Sequence, residues 1–230
     1  DKEFVDSHYV VFATKNGIIK KTCLEAYSRP RANGVNAINI LEGDQVIGVR
    51  LTNGHNELLL ANRNGRAIRF NEAELRPMGR VSTGVRGMRL DGGDDEVVGL
   101  VCVNDPQTET IMVVSENGYG KRSDVDDYRK TARGAKGVKT INITEKTGKL
   151  VAIKKVTEDE DIMIINKSGV TIRLAVSDIK KSSRNTQGVK LIDIQKRNDV
   201  ISSVCVVEHS EEPDEQIEEG TETPEVNTQE

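Results

Sequence analysis

A basic residue stands four positions after each of four regularly placed glycines: Lys21 after Gly17, Arg69 after Gly65, Arg122 after Gly118 and Arg173 after Gly169. Lys20 and Lys121 reinforce the set one position earlier in two of the four cases. A second group of cations surrounds a second glycine in each unit: Arg29 and Arg31 near Gly34; Arg80, Arg86 and Arg89 around Gly87; Arg133, Lys136 and Lys139 around Gly137; Arg184 and Lys190 around Gly188. Cations without nucleophiles or bases beside them do binding rather than bond-breaking, and what they bind is an anion. Side chains alternate across a strand, so a fixed offset from a fixed turn places the first set on equivalent faces of successive units. The expectation is a continuous basic belt suited to the backbone of duplex DNA. There cations gain by releasing condensed counterions, and sequence readout is unnecessary. The competing reading pairs each cation with a carboxylate of its own unit, such as Glu25, Glu74, Asp127 or Asp178, leaving a merely solvated rim. An aromatic content of 3% leaves few stacking platforms and argues against single-stranded nucleic acid.

Nothing else in the chain suggests chemistry. His8, His55 and His209 are isolated, and Cys23, Cys102 and Cys205 form no CxxC pair and no metal-ligand spacing. No Walker motif or paired-carboxylate motif is present, and packing accounts for Tyr9, Tyr27, Tyr119 and Tyr128. No catalytic residue, metal or cofactor is expected.

The elements that must carry the cations repeat about every fifty residues. A turn pair closes an apolar, β-branched run four times, at Asn16-Gly17, Asn64-Gly65, Asn117-Gly118 and Ser168-Gly169. Such pairs between apolar runs predict type I′ hairpin turns. Five positions before each glycine lie Phe12, Leu60, Val113 and Ile164; three before lie Thr14, Asn62, Ser115 and Asn166. Ten positions after it lie Tyr27, Leu75, Tyr128 and Ile179. The second glycines lead into Val35, Met88, Val138 and Val189, and the runs VIGVRL, VVGLVCV, LVAIKKV and VISSVCVV close the units. About four short strands per repeat, with little helical periodicity, predict an all-β chain of propeller-like blades that bury their faces against one another. The expected blades are 8–54, 55–107, 108–158 and 159–207; a β-solenoid or paired sandwiches is the alternative architecture.

Charge divides the chain. From Glu208 to Glu230 there are ten acidic residues and no Lys or Arg. All 33 basic residues and 27 of the 37 acidic ones therefore lie in 1–207, a net of +6 hidden within the whole-chain −4. Residues 208–230 are expected to be a disordered acidic tail, which could compete for the cationic rim or simply aid solubility. No apolar run is long enough to span a bilayer and no signal peptide opens the chain, so no membrane partner and a cytoplasmic location are expected. A start at Asp1 suits a piece of something longer.

The runs FATKNGIIKKT, STGVRGMRL, ENGYGKRSDVDDY, RGAKGVKTINI and SSRNTQGVKLIDI resemble the carboxy-terminal domain of the DNA gyrase A protein, and the resemblance covers residues 8–207. It implies a β-pinwheel, a propeller-shaped ring whose blades exchange strands, with duplex DNA wrapped around its basic perimeter. It also implies a place in a bacterial, ATP-dependent type IIA topoisomerase that introduces negative supercoils. In that family the partners are the rest of gyrase A and the gyrase B protein in an A2B2 holoenzyme, acting at the nucleoid. The cleaving tyrosine and the ATPase lie outside the region resembled. The family's Gln-Arg-Arg-Gly-Gly-x-Gly box has no intact copy here. RPRANGV, RVSTGVRG, TARGAKG and SRNTQGV look like its degenerate equivalents, so the chain resembles the last four of six blades. The related domain of topoisomerase IV, and a propeller used as a protein-interaction platform, are the alternatives.

Overall fold

The computed structural model describes residues 7–194 and 199–209; of the expected tail 208–230, Glu208 instead closes the last strand, and Ser210 onward lies outside the described residues. The described residues form fifteen strands with four single-turn 3-10 segments: β1 (Tyr9–Thr14), β2 (Ile18–Cys23), β3 (Val46–Thr52), β4 (Glu57–Asn62), β5 (Arg66–Asn71), β6 (Val85–Arg86), β7 (Val97–Val103), β8 (Thr110–Ser115), β9 (Tyr119–Asp124), β10 (Val138–Lys139), β11 (Leu150–Val156), β12 (Glu160–Asn166), β13 (Thr171–Ala175), β14 (Val189–Lys190) and β15 (Ile201–Glu208). They assemble into sheets β3-β1-β2-β6, β10-β5-β4-β7, β11-β8-β9-β14 and β13-β12-β15.

Each sheet is a hairpin with a long inner strand on one side and, in three cases, a two-residue strand on the other. That short strand belongs to the next blade in sequence. Val85 and Arg86 lie opposite Ile19 and Ile18, Val138 and Lys139 opposite Ala67 and Arg66, and Val189 and Lys190 opposite Gly120 and Tyr119. Every pair of successive blades is thus joined by a guest strand. β13 has no guest neighbour among the described residues.

The hairpin turns depart from expectation. The first three loops hold three residues and the fourth, 167–170, holds four, and in all four the glycine N–H donates to the residue three before it: Gly17 to Thr14 O, Gly65 to Asn62 O, Gly118 to Ser115 O and Gly169 to Asn166 O. The glycine closes the turn at positive φ, as in a three-residue hairpin, rather than standing second in a two-residue type I′ loop. This explains the small polar residue three positions earlier. Thr14 Oγ1, Asn62 Oδ1 and Asn166 Oδ1 accept the N–H of the residue after the glycine at 3.2, 2.8 and 2.7 Å. Ser115 Oγ is buried without a partner among the described residues.

The phase of the second glycine also needs correction in the second blade. The residue that leads into the guest strand is Gly84, at φ 107°, and not Gly87. Gly84, Gly137 and Gly188 all stand 19 positions after their turn glycine, which Gly87 does not. A Cβ on Gly137 would lie 2.4 Å from Ala67 O, so only glycine lets the guest backbone come this close to its host. A Cβ on Gly34, after which no guest strand forms, would meet nothing within 4 Å.

The core lies between blades. One cluster joins Val11, Ala13 and Ile19 to Leu58, Leu60, Phe70 and Met88; a second joins Leu59, Ala67 and Val101 to Ile111, Tyr128 and Ile141; a third joins Met112 and Val114 to Ile162, Ile164 and Ile194. Interior blades are covered on both faces, so Leu58, Leu59 and Leu60 are all fully buried despite opposite orientations along β4. The inner strand of the first blade is covered on one side only, which leaves Val49 and Leu51 44% and 58% exposed.

Candidate nucleic-acid interface

Three of the segments resembling a degenerate box, all but RPRANGV, cross between blades, and their cations follow the crossing. The second residue of each guest strand, Arg86, Lys139 and Lys190, is exposed on the outermost strand of its sheet. Four residues before each guest glycine stands an arginine: Arg80, Arg133 and Arg184. Each reaches back to the preceding crossing and donates through Nη1 to a backbone carbonyl: Arg80 to Asn36 O at 2.9 Å, Arg133 to Arg86 O at 3.2 Å, and Arg184 to Lys139 O at 2.8 Å. The links place Arg133 beside Arg86 and Arg184 beside Lys139. Successive crossings are therefore chained into one cationic rim, and the half-buried arginines are held by neutral acceptors that leave their charge uncancelled.

The other cations of the second group are also at the rim. Arg29, Arg31 and Arg89 are exposed, and Lys136 forms an ion pair with Asp91. Lys190 sits 3.4 Å from Asp193, and Lys139 Nζ 3.4 Å from Asn142 Oδ1. Three further cations belong to the set although the sequence pattern did not single them out. Arg76, Arg129 and Lys180 are exposed and directly follow the bulky residues Leu75, Tyr128 and Ile179. Arg66 and Arg129 line a rim hollow of about 440 Å³ together with Lys139 and Arg184. The signal for them was legible, since each stands at one fixed offset from its turn glycine.

The first group behaves differently. Lys20, Lys21, Arg69, Lys121 and Arg122 are buried and do not stand on the perimeter expected for them. The four fixed-phase cations do occupy equivalent places, but the side chains point between blades. Lys21 Nζ donates to Glu72 O at 3.1 Å and pairs with the buried Glu72 carboxylate at 3.3 Å. Arg69 Nη1 donates to Val125 O at 2.8 Å and Tyr128 O at 3.0 Å, and the guanidinium pairs with Glu57 at 2.5 Å and Asp126 at 3.3 Å. Arg122 donates from Nε to Ile179 O and pairs with Glu158 at 2.6 Å. The acceptors are carbonyls in or directly after the next blade's 3-10 segment, so each of these three cations clamps its blade to the following one. With no following blade described, Arg173 turns to Asp161 at 2.7 Å and Glu208 O at 2.8 Å and stays partly exposed. Three of the four do pair with a carboxylate of their own unit, as the competing reading has it, Arg69 with Glu57, Arg122 with Glu158 and Arg173 with Asp161, though none with Glu25, Glu74, Asp127 or Asp178; it is burial between blades that withdraws Lys21, Arg69 and Arg122 from solvent.

Lys20 and Lys121 lie beneath the crossings. Lys20 Nζ donates to Ala37 O at 2.6 Å and to Arg80 O, and Lys121 Nζ to Ser183 O at 2.5 Å. Burial is the main cause that lowers both to a pKa of about 8, helped by the nearby Arg80 and Arg184 charges respectively. Among the described residues no group of three or more His, Cys, Asp or Glu is placed to hold a metal, and no helix is long and apolar enough to cross a membrane.

Comparison with known proteins agrees with this geometry. The family model described as "DNA gyrase C-terminal domain, beta-propeller" matches residues 8–53, 56–104, 109–157 and 160–207. The DNA gyrase A protein of Staphylococcus aureus (strain NCTC 8325) is 44% identical over 218 residues, 95% of this chain and 24% of that protein. The chain thus spans about a quarter of the length of the curated relatives it matches. Among solved structures, the C-terminal domain of DNA topoisomerase IV aligns with a TM-score of 0.82 at 30% identity, covering 90% of this chain and 64% of that one. A DNA gyrase A C-terminal domain aligns with a TM-score of 0.78 at 25% identity, covering 90% and 68%. The topoisomerase IV backbone superposes slightly better, whereas the family model and the 44% identity both fall on gyrase; sequence decides between such similar folds.

Proposed function

Because the chain belongs to the DNA gyrase C-terminal domain family, we propose that it binds and wraps duplex DNA along its outer rim, without base readout, for a bacterial gyrase. The observation that carries the reading is the linked series of crossings, in which Arg86 and Lys139 of the outermost strands are joined at one phase by Arg133 and Arg184 of the crossings that follow. Regularly spaced cations on a convex edge match regularly spaced phosphates, and bending a duplex requires such a continuous run of contacts to offset its cost. The two rim hollows lined by Arg76 with Arg133 and by Arg129 with Arg184 have no aromatic side chain in their walls on which single bases could stack.

In this reading the chain supplies binding and curvature and is given no cofactor of its own. Strand cleavage, ATP hydrolysis and negative supercoiling belong to the rest of gyrase A and to gyrase B, in an A2B2 enzyme at the cytoplasmic nucleoid. Ile40 and Leu41, at 44% and 51% exposure, lie in the segment after Gly34 that forms no strand, and favour a protein neighbour at that face. We assign that neighbour to the remainder of gyrase A.

Titrating duplexes of increasing length tests the reading. Affinity that rises with length, falls steeply with salt and ignores sequence supports it. Supercoils trapped in relaxed plasmid after ligation would show wrapping, and tight binding confined to one sequence would contradict the proposal.

A further inference from the structure

The four long strands β3, β7, β11 and β15 line the centre of the blade array, and a cavity of about 310 Å³ opens between them. Its walls include Arg50 from β3, Lys154 and Lys155 from β11, Asn104 after β7, and Val206 from β15. Lys155 is neutralised by Glu109 at 2.6 Å, and that carboxylate also accepts the N–H groups of Asn104 and Asp105. Arg50 and Lys154 differ from it. Among the described residues neither forms an ion pair, and the one hydrogen bond of Arg50 goes to the adjacent Val49 O at 2.7 Å. Both are half-buried and face the same cavity. Burial, then the charge of Arg50, lowers the pKa of Lys154 from its ordinary value. Two like charges confined together in a low-dielectric cleft repel, and an anion between them removes that cost.

We propose that this axial cavity is a carboxylate-binding site and that its occupant is the acidic segment following His209. Val206 lines the cavity, and only Val207, Glu208 and His209 separate it from Ser210. Glu211, Glu212, Asp214 and Glu215 follow at once, and at about 3.5 Å per extended residue they reach the cavity easily. Tethering holds them at an effective concentration on the order of millimolar, which favours them over dilute free anions. The rim cations are within reach of the same segment, but they stand on an open convex edge where solvent and salt screen them. The concave, paired site is the stronger attractor.

The test uses the full chain and a zero-length carbodiimide that joins carboxylate to amine. Intramolecular cross-links from Glu211–Glu215 to Lys154 are expected, independent of protein concentration, suppressed by Arg50→Gln and by 1 M salt. Cross-links confined to Lys139 and Lys190 of the rim, with Lys154 untouched, overturn the proposal. A second measurement avoids relying on one chemistry. In a full chain carrying Glu211→Gln, Glu212→Gln, Asp214→Asn and Glu215→Gln, acylation of Lys154 should run roughly fivefold faster than in the parent, the effect of losing two modest ion contacts. Equal rates in the two chains overturn it. So does equal protection of both by added inorganic phosphate, which would mark a site filled from solution.

Discussion

Neutralising the three guest-strand cations together, as Arg86→Gln, Lys139→Gln and Lys190→Gln, isolates the rim from the fold. Their strands are held by backbone pairing and their side chains are exposed, so no buried group loses a partner. Each phosphate contact contributes about 0.9 to the slope of log affinity against log salt, so three lost contacts should flatten it by about 2.7. Over a fourfold rise from about 50 to about 200 mM salt, the parent should then lose about 40-fold more affinity than the triple variant. Fluorescence anisotropy with two unrelated duplexes of equal length reads this directly, and both should shift alike. A slope that changes by less than about 1, or a loss restricted to one duplex, would refute the placement of phosphates along the crossings. Arg122→Met serves as the internal contrast: it removes a cation of the other group and should leave the slope unchanged.

Arg69→Met should destabilise the fold by about 3 kcal/mol, because it strands two buried carbonyls and leaves Glu57 with only the exposed Lys130 as partner, whereas the partly exposed Arg173→Met should cost about 1 kcal/mol or less; urea unfolding of the two variants measures the difference. Asn62→Ala should cost about 1–3 kcal/mol by leaving Asp95 and the Arg66 N–H without their 2.8 Å partners, and Ser115→Ala, which deletes an unpartnered buried hydroxyl, should be neutral or stabilising. Lys121 gives a pH signature. Its folded pKa of about 8 lies below the ordinary value of 10.5, so between those values the unfolded chain binds the extra proton and stability rises with pH. Thermal unfolding between about pH 7.5 and pH 10.5 should show that rise weakened in Lys121→Met, and an identical profile would contradict the assignment.

The repeat was legible because each turn glycine is required by geometry and marks one phase. Strand exchange was not, since a guest strand is two residues long and pairs with a host over sixty positions away; so short a segment carries no periodicity of its own. The misplaced glycine in the second blade was legible. RVSTGVRG offers Gly84 and Gly87, and only Gly84 keeps the 19-residue offset from the turn glycine that Gly137 and Gly188 share. The orientation of the fixed-phase cations was within reach. Arg69 sits between Ile68 and Phe70 in a blade covered on both faces, so neither direction across the strand led to water. What the sequence could not supply was the acceptors, carbonyls in or directly after a 3-10 segment of the following blade.

The two sets of cations divide one problem. A belt of positive charge repels itself, and a rim made of loops alone would spread to relieve that repulsion. Here each rim arginine is tied to the carbonyl of the neighbouring crossing, and each crossing is pinned to a host hairpin whose blade is clamped to the next by a buried cation. The spacing of the rim charges is therefore set by the packing of the core. Partner and protein cannot share the adjustment equally, because deforming close-packed blades opens voids in every interface between them. The duplex is the softer body, since smooth bending over 20–30 base pairs costs on the order of 1–6 kcal/mol. On the proposed function, curvature would be imposed by the protein, and the buried interblade clamps, which lie away from the rim, would be part of how it is imposed.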